Sequence, residues 1–117
     1  MAEDVEQLLR TLYAAFNARD LDALLAHMQP DVDWPNVKEA RRAVGHDAVR
    51  DYWTRQWQEI DPHVAPVRFR RLDDGRVAVD VHQLVRDLTG EVLVDGEVVH
   101  VYTFRDGLVA RMEIETP

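Results

Sequence analysis

At 117 residues the chain has the length of one domain and is too short for two independent cores, so residues 1–117 are read as a single unit. A net charge of −8 disfavours nucleic acid and anionic membrane surfaces, and no apolar run approaches the ~20 residues of a membrane span. With no cysteine and no serine, disulfides, thiolate metal sites, cysteine nucleophiles and serine acyl-enzymes are excluded.

The start, Met1-Ala2-Glu3-Asp4, lacks the basic and apolar regions of a secretory leader, which makes a cytoplasmic protein the expectation. Residues 3–18 carry Val5, Leu8, Leu9, Leu12, Ala15 and Phe16 at helical spacing, one apolar stripe on an amphipathic helix. Asp20 is placed to cap a second helix from Leu21 to about Met28, ended by Pro30. Asp31-Val32-Asp33-Trp34 alternates as a short strand before Pro35, and the polar stretch from Asn36 to Gly45 reads as loop. A third helix is expected from about Asp47 to Ile60, burying Val49, Trp53, Trp57 and Ile60, with Tyr52 and Gln56 flanking.

After Pro62 the period changes to two. Strands are expected over Val67–Leu72, Arg76–Arg86, Val98–Arg105 and Leu108–Glu115. Asp73-Asp74-Gly75 and Asp106-Gly107 are the turns, and Asp95-Gly96 is a further turn signal. Helices first and antiparallel strands afterwards predict an α+β fold with the helices on one sheet face.

The segment Leu9-x-x-Leu12-Tyr13-x-x-Phe16-Asn17-Ala18-Arg19-Asp20-Leu21-Asp22-x-Leu24 resembles the opening of SnoaL-like domains. These belong with ketosteroid isomerases and polyketide cyclases in the nuclear transport factor two superfamily. Asp31-Val32-Asp33-Trp34-Pro35, Gly45-His46-Asp47-Ala48-Val49-Arg50-Asp51-Tyr52-Trp53 and Tyr102-Thr103-Phe104-Arg105-Asp106-Gly107-Leu108-Val109 follow in the matching order. The resemblance implies N-terminal helices packed on a strongly curved antiparallel sheet, a cone with an internal pocket. It also implies a convex face that pairs two subunits.

Pairing the two long strands so that His82 faces His100, Asp80 faces Tyr102 and Ala78 faces Phe104 puts these six residues on one sheet face. The other face then carries Val77, Val79, Val81, Val85, Val99 and Val101. Simple alternation would bury the valines and leave the polar face in water. The family resemblance implies the reverse: His100 in the pocket, at the position of an acidic residue in the isomerases and cyclases, and the valines as a homodimer surface. On that reading His100, His82 and Asp80 are the candidate catalytic residues, and Tyr13, Phe16, Trp34, Trp53, Trp57, Tyr102 and Phe104 line the pocket.

A neutral imidazole can move a proton at carbon next to a carbonyl, with a tyrosine polarising the oxygen. The expectation is therefore a cofactor-free isomerase, cyclase or hydratase acting on a small apolar carbonyl compound. A binding module without turnover and a purely structural dimer are the rivals. The isomerase general base, an aspartate just before a proline, is absent: Trp34 stands there, and Asp33 points to the other side by strand parity. His27 and His46 read as exposed or capping, His63 as a loop residue. No metal-ligand spacing and no phosphate-binding glycine loop is present.

Overall fold

The computed structural model describes residues 2–115. Of the unit read from the sequence, Met1, Thr116 and Pro117 lie outside the described residues. Three helices, α1 (Ala2–Asn17), α2 (Leu21–Ala26) and α3 (His46–Gln56), accompany six strands: β1 (Met28–Asn36), β2 (Arg41–Val44), β3 (Ile60–Arg71), β4 (Val77–Asp87), β5 (Val92–Arg105) and β6 (Leu108–Glu115). The strands form one sheet in the order β2-β1-β6-β5-β4-β3. All neighbours are antiparallel except β1 and β6, which run parallel. Among the described residues no helix is long and apolar enough to cross a membrane.

The helices form where the apolar spacing requires them. Leu9, Leu12, Tyr13 and Phe16 fall on one side of α1 and are all buried. Asp20 caps α2 by accepting from the Ala23 amide at 3.1 Å, which satisfies a donor that the helix itself cannot pair. These residues pack, with Leu24, Leu25 and Val49, against Val32, Trp34, Val64, Val77, Val79, Val81, Tyr102, Val109 and Met112 of the sheet.

One polar contact sets how α1 sits on the sheet. The Asn17 side chain donates to the Val64 carbonyl at 2.7 Å and accepts from the Val64 amide at 3.0 Å. Val64 lies on the edge strand β3, so one side-chain amide completes the ladder of an otherwise open edge.

Several expectations change. The segment after Ala26 is strand rather than helix, since β1 begins at Met28 and includes Pro30. Pro30 falls where the β1–β6 register is irregular, a position that needs no ladder donor. The stretch read as loop holds β2, which pairs with β1 through Trp34 opposite Ala43. α3 ends at Gln56, and β3 begins at Ile60, before Pro62. The prolines Pro62 and Pro66 are tolerated because β3 is an edge strand, with a register shift between Pro66 and Arg68. His63 is accordingly an exposed strand residue.

The largest correction concerns β4 and β5. Their turn is at Asp87–Glu91, and the turn signal Asp95-Gly96 lies inside β5. Asp87 Oδ1 accepts from the Thr89 and Glu91 amides and from the Thr89 hydroxyl, while Gly90 supplies a φ of 98° that a side chain would resist. From that turn the ladder places Val79 opposite His100, Val77 opposite Tyr102, and His82 opposite Glu97. Compared with the expected pairing this is a shift of three residues, an odd number. With a side-chain period of two, an odd shift exchanges the face of one strand relative to the other. Val77, Val79 and Val81 therefore share the inner face with His100 and Tyr102 and belong to the core, not to a dimer surface. Only Val99 and Val101 of the expected valine strip lie on the outer face, packed with Ala78 and Leu72.

Candidate active site

Between the helices and the inner sheet face lies a cavity of about 440 Å³. Its wall is mainly apolar: Phe16, Trp53, Val64, Val85, Val98 and Met112 are examples. Of the residues expected to line it, Tyr13, Phe16, Trp34, Trp53, His100 and Tyr102 do so. Trp57 and Phe104 do not. Trp57 stacks near Trp53 and under the Arg19 guanidinium, 5.1 Å from its ring, and Phe104, partly buried, packs against the core beside Tyr102.

His82 and Asp80 are on the outer face and take no part in the cavity. His82 is solvent-exposed and its Nε2 lies 2.6 Å from Asp95 Oδ1. Asp80 is held between Arg70 at 2.7 Å and Arg68 at 3.2 Å, which lowers its carboxyl below the usual range. The register explains both: even-numbered residues of β4 face outward, even-numbered residues of β5 inward. The parity argument holds for β1, where Trp34 faces the cavity and Asp33 turns away to pair with Arg42 and Arg111.

The polar feature of the inner wall is a chain of three rings. The Tyr102 hydroxyl donates to the Tyr13 hydroxyl at 2.8 Å, and Tyr13 is 2.8 Å from His100 Nδ1. Tyr13 comes from α1, and the other two stand on alternate residues of β5. The Tyr13 and His100 rings are nearly parallel, at 12°, with centroids 5.8 Å apart. His100 is only 8% exposed, and burial lowers its pKa to about 4, so the ring is neutral near pH 7. Burial acts oppositely on the phenols, raising both Tyr13 and Tyr102. The chain is thus uncharged, with every member able to donate or accept. His100 Nδ1 is engaged by Tyr13. Nε2 is neither paired nor sealed among the described residues, which leaves it open to the cavity.

The cavity also holds polar residues that the sequence reading left aside. Tyr52 and Gln56 of α3 line it, as do Lys38 of the β1–β2 turn and Gln83 of β4. Val49, Tyr52 and Gln56 are the buried residues of α3, whereas Trp53 and Trp57 are half-buried. Their spacing of three and four is as regular as that of the tryptophans. Val49 and Trp53 face inward as expected, and Tyr52 and Gln56, read as flanking, are buried more deeply than the tryptophans.

A search of curated proteins finds no match. Among solved structures, TerC co-crystallised with polyporic acid is 27% identical, with a TM-score of 0.83 over 97% of this chain and 92% of that one. An NTF2-like protein of unknown function from Burkholderia pseudomallei is also 27% identical, with a TM-score of 0.83, covering 97% and 91%. A presumed polyketide cyclase from Xanthomonas campestris pv. campestris shares the fold at 21% identity, with a TM-score of 0.82 over 96% and 89%. The family model described as a SnoaL-like domain matches residues 9–112, the span that carries both the sheet and the three-ring chain, and the protein belongs to that family.

Proposed function

We propose that the cavity binds a small, mainly apolar carbonyl compound and that His100, Tyr13 and Tyr102 move a proton next to its carbonyl group, as an isomerase or cyclase would. The observation that carries this reading is the neutral His100, tied at Nδ1 to Tyr13 and open at Nε2. With its proton on Nδ1, the ring donates to Tyr13, and Nε2 can take a proton from the carbon beside the carbonyl. The tyrosine pair then has a hydroxyl hydrogen to offer the oxygen on which charge develops. The enolate either regains that proton at another carbon or attacks a second carbonyl, whose oxygen takes the proton back from Nε2.

A probe with exchangeable hydrogens tests this. Wild-type protein is expected to accelerate deuterium incorporation into 2-tetralone in D₂O, followed by NMR. His100→Phe returns the rate to that of buffer, and Tyr13→Phe lowers it about 100-fold, the scale of one general acid–base group. Retention of the wild-type rate by His100→Phe would remove the proposed base.

Carriage of the compound without turnover is the second reading, and a specific observation favours it. A pKa of about 4 makes His100 a weak base, suited only to carbon acids already activated by a second carbonyl or an aromatic ring. Binding of 2-tetralone with no acceleration by the wild-type protein would select that reading.

We also propose a homodimer through the outer sheet face, where Val67, Leu72, Ala78, Val99 and Val101 line a groove rimmed by Arg68, Arg70, Glu97 and Glu115. Sedimentation is expected to give about twice the 13.5 kDa chain mass. Val67→Glu, at an exposed bulge residue, is expected to shift the protein toward monomer.

A further inference from the structure

The cavity wall carries further polar groups, from α3 and the β1–β2 turn. Among the described residues, Lys38 is the one formally charged residue lining it, in a protein whose net charge is −8. Its ammonium reaches Glu59 at 2.6 Å, a bridge from the β1–β2 turn to the turn before β3. Tyr52 lies beside it: burial raises its phenol, while the backbone amides of Val37 and Lys38 and the Lys38 charge pull it back. Gln56, one turn further along α3, is only 7% exposed. Its amide is neither hydrogen-bonded nor sealed among the described residues, in contrast to the sealed indole nitrogens of Trp34 and Trp53. A buried amide open to a cavity without a protein partner is a group that a bound molecule can satisfy.

We infer that Lys38, Gln56 and Tyr52 form an anion-accepting subsite in the cavity wall, which makes the substrate class a molecule with two polar groups: an apolar ring or chain with a carbonyl for His100 and a carboxylate or other acidic oxygen for Lys38. The inference rests on the cavity being the ligand site. Glu59 is the resident competitor for Lys38. Both side chains are about half exposed, and such surface pairs contribute only ~0–1 kcal/mol, so a ligand carboxylate displaces Glu59 at little cost. Once seated it gains three hydrogen-bonding groups, two of them largely desolvated. The overall negative charge repels anions elsewhere on the surface, so a single lysine on an apolar wall discriminates strongly.

Calorimetric titration with two probes that differ by one carboxylate tests the subsite: 2-acetylnaphthalene and 6-acetyl-2-naphthoic acid. The wild-type protein is expected to bind the acid about tenfold more tightly than the ketone, a preference that weakens as salt is raised. Lys38→Met is expected to abolish the preference, and Glu59→Gln to increase it about threefold, since Lys38 loses its competitor. Glu59 does not line the cavity, and Glu59→Gln leaves the affinity for the ketone unchanged. Variants that move the two probes in parallel, or leave the acid preference at its wild-type value, overturn the subsite. If the ketone binds and the acid has no advantage in the wild type, the subsite falls and the reading of the cavity stands. If neither probe binds, both fall together.

Discussion

Val81→Asp is expected to unfold the protein at 25 °C or leave it without near-UV circular dichroism, whereas His82→Asp changes stability by no more than about 1 kcal/mol. The two positions are neighbours on β4, yet Val81 is 0% exposed within the core and the His82 side chain is 47% exposed. A carboxylate at position 81 would stand between Val98 and Pro66, its strand partners, within the buried apolar cluster, and an unpaired buried charge costs several kcal/mol. That is comparable to the whole stability of a small domain, about 5–15 kcal/mol. At position 82 the change removes the His82–Asp95 contact and adds a like charge beside it, both in water. Urea titrations of the two variants separate these outcomes. Equal losses, or a tolerated Val81→Asp, would mean that β4 presents its other face to the helices.

His100 should make stability depend on pH across a defined window. Its folded pKa, about 4, lies below the ordinary value of 6.5, so between these limits the unfolded chain binds a proton that the folded one refuses. Stability is therefore full above about pH 6.5 and falls as pH drops toward 4, by roughly 3 kcal/mol at 1.36 kcal/mol per pKa unit. His100→Phe, which keeps the ring volume, is expected to remove this slope while leaving the acid-side loss at still lower pH. That remaining loss comes from carboxyls held below their usual range, among them Asp80 beside Arg70 and Asp87 at the β4–β5 turn. A wild-type denaturation midpoint that is flat between pH 4 and 6.5 would show that water or a charge partner reaches His100.

Much of the architecture is written locally. The α1 stripe, the Asp20 cap and the Asp106-Gly107 turn, with φ values of 53° and 80°, follow from residues within one or two turns of each other. The family resemblance carried by Tyr13, Phe16, Trp34 and the Tyr102–Val109 segment likewise leads to the helix-covered sheet and to six residues of the cavity wall. What failed at this level were elements whose local signals compete. Pro62 read as the end of a helix and the strand as beginning only at Val67, because the edge position of β3 was not visible, and β2 was too short and too basic to show its pairing.

The site depended on a longer-range fact. The expected pairing of His82 with His100 was fixed by no turn, and the ladder that closes at Asp87–Glu91 differs from it by three residues, an odd number. His100 and Tyr102 face inward from either pairing, but His82, Asp80 and the β4 valines exchange faces. The apparent conflict between an apolar row and a polar row then disappears: the valines of β4 and the histidine and tyrosine of β5 occupy the same inner face. From its own residues the chain determined the helices, most of the strands and the presence of His100 on β5. Tertiary structure decided which groups meet it, because cross-strand contact depends on register, and register is set where a hairpin closes and how its ladder packs under the helices.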